Sequence, residues 1–378
     1  MTEKSVEQCC AIANEAFENG EYAKALEYYQ LAADMGDPDA TYSLGRMYKE
    51  GRGVWFDNKK ALEFYEKAAE MCVPGAYYEI GRMHYFGHGV SQSSRKAEEF
   101  FYKAISMGDA SGHHGLGLMR VYNQPPSLIR SKDPVANKGS MSYFKRAAEM
   151  GYADAYWELG EVCFVLKQDN RDFQGWQYIE KAAKMGSAKA CFDLADRYMM
   201  TGGKGDWEQG LAYFQKAADL GHVLSAFQLI EFCKDYQKVI KYCKKIADVK
   251  DEFGAKACGK LGHMYYEGKG VSQDYQKALE YYSKVLERGA RDATVFRNLG
   301  CMYEEGQGVM QGLLKAVEFY EKAVNQDYGL PDILFKLGLI YENGKGVPKN
   351  KYKALQYFQK SCDKGYQETC EKLKQLKS

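Results

Sequence analysis

The chain has 378 residues, 52 of them basic and 51 acidic, and its net charge of +1 is too even for the basic stripe that a general nucleic-acid binder needs. Hydrophobic residues make up 46%, as in an ordinary folded protein, and no run nears the roughly 18 apolar residues of a spanning helix, so membrane insertion is not expected. Eleven scattered cysteines, an odd total, and a polar start at Met1 lead us to expect reduced thiols in a cytoplasmic protein; only Cys362 and Cys370 have a spacing that could bridge one helix to the next.

In chain order, an Ala-rich amphipathic stretch from Cys9 to Gly20 opens a series of repeats. The small residue that starts each following copy falls at Ala40, Ala76, Gly112, Ala155, Ala190, Ser225, Ala257, Val295, Ile333 and Thr369. The steps between these markers are 36, 36, 43, 35, 35, 32, 38, 38 and 36 residues, a period that belongs to stacked solenoid units. The copy at Ala40 is the clearest. Ala40, Leu44 and Tyr48 form one helical stripe, and Ala61, Phe64, Tyr65, Ala68 and Ala69 form a second, so each copy predicts a helix A followed by a helix B. Helix A is expected to stop at a G-x-G-V turn, as at Gly51/Gly53/Val54 and Gly87/Gly89/Val90, and helix B at single glycines such as Gly36 and Gly108. From 112 to 256 the pattern is irregular. A polar, proline-bearing insertion at 123–140 predicts an exposed loop, Lys167-Gln168-Asp169-Asn170 replaces one glycine turn, and Lys234-Asp235-Tyr236 predicts a tight turn in a copy that carries Ile230 in place of glycine. Regular copies then return, with G-x-G-V at 268–271, 306–309 and 344–347, and a charged capping helix is expected at about 367–377.

The pattern A-x3-L-G-x2-Y-x2-G-x-G-V, followed by K-A, paired aromatics and K-A-A, resembles the Sel-one-like repeat family, a relative of tetratricopeptide repeats. The resemblance covers essentially the whole chain. It implies an all-α, right-handed solenoid of about ten antiparallel helix pairs, read here as one domain over 1–378. It also implies a groove lined mainly by A helices and a non-enzymatic role as scaffold or adaptor for a protein or peptide. A bacterial effector acting on host partners, in the host cytosol, is the alternative that the family suggests.

Positions +2, +6 and +9 from each marker lie opposite the packing stripe and are the expected partner-facing residues. They are Tyr42, Arg46 and Lys49; Tyr78, Arg82 and Tyr85; Trp157, Glu161 and Phe164; Phe192 and Asp196; and Phe227 and Glu231. Rigid aromatics with a basic start and an acidic middle suit a peptide-holding surface. Reversing Arg82 and Glu161 is expected to weaken capture without lowering the melting temperature. Catalytic patterns fare poorly. Ser93-x2-Lys96 and Ser142-x2-Lys145 match the S-x-x-K of penicillin-recognising hydrolases, but no S-D-N or K-T-G accompanies them. Gly254-x4-Gly259-Lys260 nearly spells a phosphate loop, with Leu261 where Ser or Thr is needed. Neither His84/His88, split by Gly87, nor His113-His114 has metal-ligand spacing, so no metal and no cofactor are expected. A monomer is the default.

Overall fold

The computed structural model describes residues 4–121, 134–166, 171–201, 203–326 and 330–377, and among them there are twenty-one helices and no strand. The first five A/B pairs are α1 (Val6–Glu18) with α2 (Tyr22–Asp34), α3 (Pro38–Glu50) with α4 (Asn58–Glu70), α5 (Pro74–Phe86) with α6 (Ser94–Ser106), α7 (Ala110–Val121) with α8 (Pro134–Glu149), and α9 (Ala153–Leu166) with α10 (Arg171–Lys184). The next five are α11 (Ala188–Thr201) with α12 (Lys204–Asp219), α13 (Val223–Phe232) with α14 (Tyr236–Ala247), α15 (Glu252–Glu267) with α16 (Tyr275–Glu287), α17 (Ala293–Glu305) with α18 (Leu313–Gln326), and α19 (Pro331–Asn343) with α20 (Lys351–Asp363). A last helix, α21 (Gln367–Lys377), stands where the cap is expected. The fold is an all-α solenoid.

The chain packs as two compact units, 1–253 and 254–378, where the sequence reads as one array; the division falls at the end of the irregular stretch. In the first unit every helix packs on the one before it and the one after it. Local chemistry sets the boundaries. Asp37, Asp57, Ser93, Asp274 and Asn350 each cap a helix by accepting a hydrogen bond from a backbone N–H of the first turn. Gly51, Gly87, Gly306 and Gly344 end A helices in the left-handed conformation.

One glycine explains how A and B approach so closely. Five residues after the marker, Gly45, Gly81, Gly262, Gly300 and Gly338 lie under the rings of Tyr65, Phe101, Tyr282, Tyr320 and Phe358, and a Cβ on any of them would fall 2.3–2.8 Å from ring carbons. Those rings are buried. Each contributes about 1.5–3 kcal/mol of burial that only a bare backbone opposite it allows.

The first unit also closes on itself. The Tyr22 hydroxyl donates to the Lys245 carbonyl at 3.0 Å, across 223 residues of sequence. Arg52, in the turn after α3, forms an ion pair with Glu50 at 2.7 Å and reaches the Tyr22 hydroxyl at 3.3 Å and the Gly221 carbonyl at 3.5 Å. Lys250 lies 4.3 Å from the Trp55 ring centroid. Gly20 comes so near Lys245 that a Cβ there would fall 2.9 Å from its Cα. The opening hairpins therefore rest on α12–α14, a contact that nothing in the repeat spacing announces.

The structure corrects three expectations. Of the loop expected at 123–140, residues 123–133 lie outside the described residues, but α8 already runs from Pro134, because proline suits a first helical turn. Tyr236 is the first residue of α14 rather than part of a turn, with Asp235 capping it. The turn expected at 167–170 lies outside the described residues. Finally, Cys362 and Cys370 are joined as a disulfide, with Cα atoms 4.9 Å apart, because α21 folds back beside α20; the other nine cysteines are free thiols.

Candidate functional site

The expected A-helix residues divide by environment. Tyr78 and Tyr85 are buried and offer a partner no surface. The aromatics at +2 all pack on the B helix of their own copy or on the helix that follows. Tyr42 tilts over Tyr65 at 5.5 Å, and Phe192 contacts both Phe214 and His222, at 5.7 and 4.8 Å. Phe227 lies 5.2 Å from Phe253, and at +9 Phe164 lies 5.1 Å from Trp176. Each of these four keeps only a half-buried edge. They are joints between hairpins first.

The charged positions stay more accessible. Arg46 keeps 45% of its side chain exposed, with a 3.8 Å pair to Glu50 and its guanidinium carbon 5.8 Å from the Phe17 ring centroid. Beside it is a recess of about 260 Å³ lined by Asn14, Phe17, Glu18, Tyr29 and Ser43. Lys49 and Arg82 converge on one carboxylate, Glu79: Lys49 pairs with it directly, and the Arg82 guanidinium lies 3.4 Å from Oε1. Burial works against the Glu79 carboxylate, but Arg82 and Lys49 outweigh it and hold its pKa below the usual value. Burial, aided by Arg82, lowers the pKa of the Lys49 ammonium. Arg82 also lies over the Tyr78 ring at 5.7 Å. Its side chain remains 36% exposed.

Further along, the Trp157 indole donates to Asp193 Oδ2 at 2.6 Å, and Lys189 lies 4.7 Å from the Trp157 ring. Asp196 is half-buried, and burial alone raises its carboxyl pKa. Asp193 is raised by the same cause, opposed by the Trp157 hydrogen bond. Glu161 is half-buried on α9, and Glu231 is exposed on α13.

Reading by stripe missed the residue at +3. Glu79, Glu158, Asp193, Asn298 and Lys336 all occupy it, and each enters a polar network. Tyr78 Oη is 2.8 Å from His114 Nδ1, and His114 Nε2 is 3.9 Å from buried Glu158. Asn298 donates to Tyr282 at 2.9 Å. Lys336 pairs with Glu304 at 2.9 Å, which repeats the Lys49–Glu79 link with its signs exchanged: position +9 of one copy joins +3 of the next. A polar residue recurring beside the invariant apolar position was the available signal.

The arrangement holds ion pairs and hydrogen bonds, and the catalytic look-alikes dissolve into structure. Ser93 caps α6 by accepting from the Lys96 N–H at 3.3 Å, and Ser142 donates to the Gly139 carbonyl at 3.0 Å. Gly254 to Lys260 lies inside α15, a helix where a phosphate loop would need a loop between strand and helix. His84 stacks on Phe100, and His88 on Phe86, both at 5.6 Å. Among the described residues no three His, Cys, Asp or Glu side chains gather as a metal site, and no helix is long and apolar enough to cross a membrane.

Comparison with known proteins adds the following. The Sel1 repeat family model matches residues 11–37, 38–71, 74–109, 131–152, 153–187, 188–222, 255–289, 297–328 and 331–366. Comparison with curated proteins gives no match. Among solved structures, the chain is similar to c5321, a protective antigen of uropathogenic Escherichia coli with an SLR fold, at 24% identity over 98% of this chain and 82% of that one, with a TM-score of 0.46. It is similar to a Sel1 repeat protein from Oxalobacter formigenes at 17% identity, over 93% and 96% of the two chains, with a TM-score of 0.32. Immunity protein Pa5087 of Pseudomonas aeruginosa shares 19% identity over 67% of this chain and 82% of its own, with a TM-score of 0.40.

Proposed function

Because the chain belongs to the Sel1 repeat family, we propose that it is a non-catalytic scaffold whose 1–253 unit holds a segment of a partner protein against its A-helix face. The observation that carries this reading is Arg46: a side chain 45% exposed, weakly paired, at the mouth of a recess walled by Phe17 and Tyr29. A carboxylate on the partner would take the guanidinium, and an apolar neighbour would enter the recess. Asp196 gives the opposite sign at the other end, a half-buried carboxylate suited to a basic partner residue. Tyr42, Trp157, Phe192 and Phe227 would add their half-buried edges between the two.

Arg82 is unsuited to a charge-reversal test. Placing a carboxylate there would set it against Glu79, which is only 12% exposed, and would destabilise the fold. Arg46→Glu faces only Glu50, which is 34% exposed and so screened by water, and Asp196→Asn adds no charge. The raised Asp196 pKa means that its charged form is disfavoured in the folded state, a penalty present above the unfolded pKa and relieved as pH falls. Asp196→Asn should therefore raise the melting temperature at neutral pH, and Arg46→Glu should leave it unchanged. Each should weaken retention of the partner from native lysate by about tenfold. Equal retention of the same proteins by both variants and the wild type would exclude this face.

A further inference from the structure

A close backbone contact seats each G-x-G-V turn on the hairpin before it. The second glycine of the turn, at Gly53, Gly89, Gly308 and Gly346, sits on the first residue of the preceding B helix: Tyr22, Asn58, Tyr275 and Leu313. A Cβ on any of these glycines would fall 2.3–2.8 Å from that residue, so only bare backbone fits there. The valines that follow two of them, Val54 and Val90, pack on the apolar clusters that hold α2 and α4. On α20 the equivalent first residue is Lys351, and among the described residues no turn covers it. It borders a recess of about 300 Å³ instead. Buried Ala354 and Phe358 form the floor, and Leu355 and Leu376, 41 and 48% exposed, form the walls. The recess is preformed, because the Cys362–Cys370 disulfide and buried Leu373 hold α21 against α20.

The mouth of the recess is basic. Lys349 and Lys351 stand on its rim, both exposed, and neither has a carboxylate partner among the described residues. Glu342 also lines it, but Lys372 pairs with that carboxylate at 2.7 Å. Lys353 turns away, donating to the Tyr341 hydroxyl at 3.3 Å and lying 3.9 Å from Glu321. The acidic side chains of α20 and α21, Asp363, Glu368 and Glu371, stand at the opposite end, where α20 stops and α21 starts.

We propose that this recess seats an acidic turn of another protein. A small residue lies against Lys351, an apolar side chain enters between Leu355 and Leu376, and carboxylates meet Lys349 and Lys351. The seat is the one the repeat uses within the chain, with positive charge added at its rim. A place shaped for bare backbone and one side chain favours a polypeptide over a lipid surface. The four turns of this chain that would fit are already seated on their own B helices, so a second copy is not the occupant. The site lies in the 254–378 unit and does not depend on the Arg46 reading.

The test uses the full chain with 13C-methyl leucine and the synthetic peptide Glu-Gly-Glu-Gly-Val-Glu-Glu, blocked at both ends. Methyl signals of Leu355 and Leu376 should shift on titration, while those of buried Leu261 and Leu299 stay in place. Affinity is read from those two shifts, so binding elsewhere on the chain does not enter. The controls are the peptide with Gln for every Glu, the peptide with Ser for Val, and anionic vesicles; none should move the two signals at the same concentration. The variant Lys349→Glu/Lys351→Glu should lose about tenfold or more in affinity without a lower melting temperature, and should bind the peptide with Lys for every Glu, which the wild type should not. Equal shifts with either control peptide or with the vesicles, or undiminished affinity of the double variant, would overturn the proposal.

Discussion

Gly338→Ala should destabilise the 254–378 unit by about 2 kcal/mol, while the same change at Gly205 should be neutral or stabilising by up to about 1 kcal/mol. Both glycines are in helices, and alanine is the better helix former at each. The difference is what the new methyl group meets. At Gly205 nothing lies within 4 Å, but at Gly338 the Cβ would fall 2.3 Å from Cε1 of Phe358. That ring is fully buried and would have to leave its packed position for the methyl group to fit. Chemical denaturation followed by circular dichroism measures both variants, and equal effects at the two sites would mean that the ring–backbone approach does not hold the hairpin together.

Arg52→Ala should release the closure of the first unit, at a cost of about 2–3 kcal/mol. Arg52 is only 12% exposed, and its removal leaves Glu50 with the 3.8 Å Arg46 pair alone and uncovers the rings of Phe17 and Tyr22, which its guanidinium carbon approaches to 5.1 and 5.4 Å. The effect should be local. Backbone hydrogen exchange should quicken in α2 and α14 and stay unchanged in α19–α20. Unchanged exchange in α14 would show that Tyr22 and Gly20 suffice to keep the two ends together.

Much of the fold was legible because the repeat states its own packing rules. Ala40, Leu44 and Gly45 at fixed spacing identify helix A and the place where Tyr65 must lie, and ten pairs with a cap at Gln367–Lys377 follow. What the pattern does not encode is contact between distant copies. Tyr22 and Lys245 occupy unremarkable positions in their repeats, and only the accumulated turn of the stack brings them together. The site was half-legible for a similar reason. Helical periodicity separates exposed from buried positions but cannot say which charged residue finds a partner in the next copy. Arg46 and Arg82 occupy the same position, yet one stays weakly paired and the other meets Glu79, because the second copy carries glutamate at +3 where the first carries Ser43. Tyr78 was read as groove-facing, but it is covered where His114 of the next copy meets it.

The reading of the A-helix face as the partner surface is tested most directly by site-specific photocrosslinking. A benzophenone side chain placed at position 46, on α3, is compared in native lysate with one at position 63, an exposed residue of α4. The account predicts a discrete crosslinked partner from position 46 and none from position 63. A partner captured from position 63 alone, or the same products from both, would contradict it.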